Sequence, residues 1–103
     1  MIIAHVRFPV PAIDRAEFEQ KLQASVVKYE KLDGLIRKYY IMTEDGKTAG
    51  GIYLWESKAK AEAWYNADWH KNMTAAWGQP PMLEYLDCPI VVDSARVHSR
   101  IGA

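Results

Sequence analysis

A chain of 103 residues, half of them hydrophobic and a quarter charged, has room for one domain (1–103) around one modest core. Its 13 basic and 13 acidic side chains cancel, which argues against nucleic-acid and anionic-membrane partners but not against a local charged patch. Cys88 is the only cysteine, so no internal disulfide is possible, no apolar run approaches the ~20 residues of a membrane helix, and the amino terminus lacks a signal-peptide pattern, so the expected location is the cytoplasm.

Ile2 to Phe8 alternates, with Ile2, Ala4, Val6 and Phe8 on one face and Ile3, His5 and Arg7 on the other. This is a first strand, ended by Pro9 and Pro11, which lack ladder donors. Asp14 opens a helix, with Glu17 placed for a capping box. Phe18, Leu22, Val26 and Tyr29 form its buried stripe, Glu17 and Lys21 pair on the wet side, and Asp33-Gly34 stops it. Leu35 to Met42 is a second strand. Periodicity leaves its inner face open, because Leu35, Arg37, Tyr39, Ile41 and Ile36, Lys38, Tyr40, Met42 each hold one cation and one tyrosine. The Asp45-Gly46 turn joins it to a third strand as a hairpin.

That third strand, Ala49-Gly50-Gly51-Ile52-Tyr53-Leu54-Trp55, opens on two glycines, which imply a bulge, another backbone or a ligand close by. Ile52 and Leu54 are aliphatic and are expected in the core, leaving Gly51, Tyr53 and Trp55 to wall a cavity or an interface. Ser57 caps a second helix that turns Ala61, Trp64 and Tyr65 inward. Asp68 is placed to cap a shorter helix from Trp69 to Trp77, closed by Gly78 and Pro80-Pro81. Packing is the expected role of its tryptophans and of Trp64. Met82 to Val92 is the last extended stretch, broken by Pro89, and the tail from Asp93 to Ala103 reads as frayed or as an arm on a partner.

The order strand, helix, strand, strand, helix, strand predicts an α+β, ferredoxin-like βαββαβ protomer, a four-stranded antiparallel sheet with both helices on one face. The uncovered face would then carry His5, Arg7, Gly51, Tyr53, Trp55 and one set from the second strand. It is too apolar to stay wet, which predicts a homodimer with facing sheets and a polar-spotted cavity.

Asp33-Gly34-Leu35-Ile36-Arg37-Lys38-Tyr39-Tyr40, the Gly-Gly-Ile-Tyr-Leu strand and the Ala59 to Trp64 helix resemble the YdhR-type monooxygenase family, within the antibiotic-biosynthesis-monooxygenase-like proteins. The likeness runs through nearly the whole chain. It implies a dimeric α+β barrel, a pocket between the sheet and the helices of each subunit, and polar residues of the first strand, here His5 and Arg7, turned into the cavity. It also favours Ile36, Lys38 and Tyr40 as the inner set of the second strand.

Cofactor-free oxygenation needs a substrate that can itself give an electron to oxygen, such as a phenolate or enolate, held as an anion in a dry pocket. His5 is then the expected base, Arg7 and Lys38 the anion holders, and Tyr40, Tyr53 and Trp55 the walls around an aromatic or polyketide-like small molecule. Against this stands a reading in which His5 and Arg7 only bond across the dimer seam. A non-catalytic ligand-binding or stress-related dimer, or an isomerase or lyase on the same fold, are the alternatives. No cofactor is implied. His5, His70 and His98 show no metal-ligand spacing, and the positions of the haem-degrading relatives' histidine and asparagine hold Thr74 and Val6.

Overall fold

In a computed structural model, described for residues 1–94 and for the backbone of 96–99, the chain runs β1 (Ile2–Pro9), α1 (Arg15–Ser25), a 3-10 turn (Val26–Tyr29), β2 (Leu35–Met42), β3 (Thr48–Trp55), α2 (Lys58–Trp64), α3 (Ala67–Trp77), β4 (Met82–Asp87), β5 (Ile90–Asp93) and β6 (Arg96–Ser99). β1 to β4 form one antiparallel sheet in the order β2-β3-β1-β4. This is the predicted ferredoxin-like arrangement, and the helices cover one face.

Register decides what each face carries. Residues directly opposite in an antiparallel pair share a face. Ala4 faces Tyr53 and Tyr85, Val6 faces Gly51 and Leu83, and across the hairpin Lys38 faces Tyr53 and Tyr40 faces Gly51. These residues lie under the helices, where Ala4, Val6, Phe8, Phe18, Tyr53, Trp55, Ala61, Tyr65 and Trp69 are the buried core. His5 pairs with Ile52 and Glu84, and Arg7 with Gly50 and Met82, on the uncovered face. The expected assignment of β3 is therefore reversed: Tyr53 and Trp55 point to the core, Ile52 and Leu54 to the open face. The reason is ring packing. Tyr65 receives both strand rings edge-on, at 5.5 Å from Tyr53 and 5.7 Å from Trp55, and its hydroxyl accepts the buried Trp55 indole N–H at 3.2 Å.

The remaining departures are local. α1 starts after Asp14, but no side-chain bond caps it, and the ion pair formed along it is Arg15–Glu19 rather than Glu17–Lys21. β2 carries a register shift between Leu35 and Arg37, which leaves Ile36 exposed while Lys38 and Tyr40 turn in. Ser57 accepts from the Lys60 amide as expected. The helix of Trp69 begins two residues earlier than expected, because Asn66, not Asp68, caps it by accepting from the Trp69 amide. Gly78 ends α3 at φ 83°. Pro89 separates β4 from β5, which leaves the sheet to pair with β6. The tail is thus a hairpin as far as Ser99; residues 100–103 lie outside the described part. Asp93 of that hairpin is 3.2 Å from Arg37 on β2.

Candidate functional site

Between the inner face of the sheet and the helices lies a cavity of about 560 Å³. That is room for a molecule of two or three fused rings. One wall comes from α1 and the 3-10 turn, with Lys21, Ser25, Lys28 and Tyr29. The floor is Lys38, Tyr40 and Tyr53 of the hairpin. The far wall is Trp64, Asn66, Asp68, Trp69, Asn72 and Trp77.

Lys38 is the centre of this site. Its Nζ stands 3.5 Å from the Tyr29 ring centroid, 3.9 Å from Tyr40 and 4.6 Å from Tyr53. Three ring faces stabilise an ammonium through their quadrupoles. They cannot replace water or a carboxylate, and among the described residues none of the ion pairs reaches Lys38. Burial, with the nearby Lys28 charge, lowers its pKa from 10.5 to about 7. The amine and the ammonium are therefore both accessible near neutrality. The tyrosines go the other way: burial raises the pKa of Tyr29 and Tyr53, so both stay neutral phenols.

Glycine at position 51 makes this geometry possible. A Cβ there would come within 2.8 Å of the Tyr53 ring and 3.2 Å of the Lys38 Cε, so a side chain would force the ring aside and press on the lysine. At Gly50 a Cβ would run into the Val6 carbonyl of β1. The pair therefore marks both of the close approaches that a glycine-led strand suggested, to a backbone and to the cavity floor. Tyr40 is fixed by a hydrogen-bond chain. Ser25 lies 2.6 Å from the Tyr40 hydroxyl and donates its one proton to the Leu22 carbonyl at 2.7 Å. Tyr40 must then donate to Ser25, so its own oxygen offers the cavity only acceptor capacity.

Of the predicted site residues, the fold brings Lys38, Tyr40 and Tyr53 together. Trp55 lies behind them, fully buried and bonded to Tyr65, and does not line the cavity. His5 and Arg7 lie on the opposite face of the sheet, so the expectation that they share a cavity with Lys38 is corrected: alternation along β1 turns them away from Val6 and Phe8, which face the helices. Arg7 has its Nε buried there and without a hydrogen-bond partner among the described residues. The tryptophans of the helices both pack and line the cavity. Trp77 stacks on Phe8 at 4.7 Å, Trp64 meets Tyr29 edge-on at 5.7 Å, and His70 is half-buried against Trp69. Tyr29, Lys28, Lys21 and Ser25 had no assigned role at the site. Positions 21 and 25 fall on one α-helical face beside Leu22, whereas Lys28 and Tyr29 lie in the 3-10 turn, where that spacing no longer holds. Among the described residues no group of three His, Cys, Asp or Glu is placed to hold a metal ion, and no helix is long and apolar enough to cross a membrane.

The known proteins that resemble this chain agree with the architecture. Among solved structures, a protein of unknown function from Nitrosomonas europaea superposes with a TM-score of 0.67 at 15% identity, covering 84% of this chain and 87% of the other. A protein from Deinococcus radiodurans described as a "putative antibiotic biosynthesis monooxygenase" gives 0.69 at 10% identity, over 90% and 97%. A monooxygenase of Streptomyces coelicolor, from the gene ActVA-Orf6 and solved with Nanaomycin D, gives 0.63 at 19% identity, over 88% and 89%. Such identities establish the fold alone. No curated protein sequence matches. A family model does match, under the description "Putative mono-oxygenase ydhR", over residues 3–82, from β1 into the start of β4 and so across every element that builds the cavity. On that match the chain belongs to the ydhR mono-oxygenase family.

Proposed function

We propose that the protein is a cytoplasmic monooxygenase that uses no cofactor and acts on a small phenolic or enolisable aromatic molecule in the cavity under α1 and α3. The observation that carries this reading is Lys38, a half-buried residue whose amine stands among three tyrosine rings with no ion pair to a carboxylate among the described residues. A lysine whose pKa is about 7 is a competent base near neutrality. It takes the proton of a substrate hydroxyl, and the ammonium so formed stays beside the new phenolate or enolate. The cage that lacks an anion receives one from the substrate. The anion then gives an electron to dioxygen, a carbon–oxygen bond forms, and loss of water breaks the O–O bond. For a phenol with a free para position, phenol and O₂ balance to a quinone and water, so the substrate supplies every electron. Trp64, Trp69 and Trp77 line the cavity and offer stacking surfaces to a flat substrate.

Base chemistry thus moves from His5 to Lys38. His5 and Arg7 belong, in this reading, to a homodimer formed through the open face of the sheet. That face exposes Tyr39, Met82 and Leu86, and the buried Arg7 Nε, which has no partner among the described residues, fits a second copy supplying the acceptor.

The test is oxygen uptake by the purified protein with a panel of naphthols and enolisable polycyclic ketones. Uptake with one oxygen atom from ¹⁸O₂ entering the product, and at least a tenfold lower rate in Lys38→Met, is expected. No uptake with any of them, or an unimpaired Lys38→Met, would overturn the assignment.

A further inference from the structure

We infer that the substrate is an aromatic acid: besides the hydroxyl that meets Lys38 it carries a permanent carboxylate, which Lys28 binds at the rim of the cavity. This deepens the reading of the cavity as the active site and rests on it.

The argument is one of charge placement. The chain as a whole is electroneutral, yet the cavity is lined by Lys21, Lys28 and Lys38 against a single acid, Asp68. The charges are also segregated. All three lysines come from the α1 side and β2, while Asp68 sits at the start of α3 on the far wall. Outside the cavity three cations find carboxylates, Arg15 with Glu19, Arg37 with Asp93, and Lys60 with both Asp33 and Glu56, while Lys31, Lys47, Lys58 and Lys71 have no ion pair among the described residues; what distinguishes the cavity lysines is that they converge on one space. None of these ion pairs, among the described residues, includes a cavity lysine. Lys28 is also more than a solvated neighbour. Its Nζ stands 5.3 Å from the centroid of the same Tyr29 ring that Lys38 approaches at 3.5 Å, so the two ammonium groups are at most about 9 Å apart. Two cations gathered on one ring repel, and the repulsion falls on the buried member. A ligand carrying two acidic oxygens, one deep and one at the rim, relieves it at both ends. A molecule with a single hydroxyl relieves it at one. The aromatic side chains that line the same cavity set the rest of the class: a flat ring system with the acid group away from the reacting hydroxyl.

The experiment measures binding without turnover. 5-Hydroxy-2-naphthoate, whose position para to the hydroxyl is free, and its methyl ester are titrated anaerobically into wild type, Lys28→Gln and Lys71→Gln at pH 7.5, read by calorimetry. Wild type and Lys71→Gln, whose lysine lies outside the cavity, are expected to prefer the acid by at least tenfold. In Lys28→Gln the preference should fall below threefold while affinity for the ester is unchanged. An ester bound as tightly as the acid, a preference that survives in Lys28→Gln, or no binding of the acid by wild type would each overturn the inference. Tight binding of the acid without oxygen uptake would leave the acid subsite standing and remove the monooxygenase reading instead.

Discussion

Replacing Lys38 by methionine should make the protein more stable, and by an amount that depends on pH. The unfolded chain holds the Lys38 proton up to about pH 10.5, whereas the folded state releases it at about pH 7. Between those values the unfolded state binds more protons, so the wild type gains stability as pH rises and loses it as pH falls towards 7. Each pH unit in the window is worth about 1.4 kcal/mol, and the whole shift about 5 kcal/mol. Methionine has nearly the same length and no proton, so it carries none of this slope. The advantage of Lys38→Met over wild type should therefore be largest at pH 6 and shrink by about 3 kcal/mol by pH 9. Urea unfolding followed by tryptophan fluorescence at pH 6, 7.5 and 9, at one fixed protein concentration, measures it. Stopping at pH 9 keeps the tyrosines out of the comparison, since their unfolded pKa is about 10. Parallel stability profiles for the two proteins would mean that Lys38 titrates like an exposed lysine, and the argument from its desolvation would fail.

Gly50→Ala should cost more than about 3 kcal/mol or prevent folding, because the obstacle is the Val6 carbonyl and not a side chain that can swing away; a thermal melt within a few degrees of wild type would contradict this. The protein should sediment as a dimer at micromolar concentration, and Met82→Glu, which puts a charge beside Arg7 on the open face, should shift it towards monomer. A monomeric wild type would remove the proposed dimer.

The order of elements was legible because punctuation residues fix it: Pro9 and Pro11, the Asp45-Gly46 turn, Ser57 and Gly78 each stop or start an element where expected, while Gly34, expected to end the first helix, instead turns the chain into β2, the helix having ended at Ser25 and its 3-10 extension at Tyr29. The site was legible in part. Lys38, Tyr40, Gly51, Tyr53 and Trp55 do share one face, as the grouping of β2 with β3 proposed. What failed was the placement of that group relative to β1. β1 and β3 are joined through two other elements, so no turn sets their register, and a shift of one residue exchanges every side chain between faces. Aliphatic content was a poor guide to the inner face of β3, because the helices present Tyr65 and Trp69, which pack better against rings than against Ile52 and Leu54. The Lys28 and Tyr29 pairing was hidden for a different reason. The chain tightens from α-helix to 3-10 at Val26, which changes the angular spacing that a helical stripe assumes.

The bulge at Ile36 has a bearing on how copies of this chain can meet. β2 and β4 are the two edges of the sheet, and an edge offers free backbone donors and acceptors to any strand that comes alongside. The shift between Leu35 and Arg37 breaks the regular ladder on one edge. On the other, β4 is only six residues long and lies between Pro81 and Pro89. Neither edge is a good template for continuing the sheet from one molecule into the next, so growth into open-ended strand-by-strand assemblies is disfavoured.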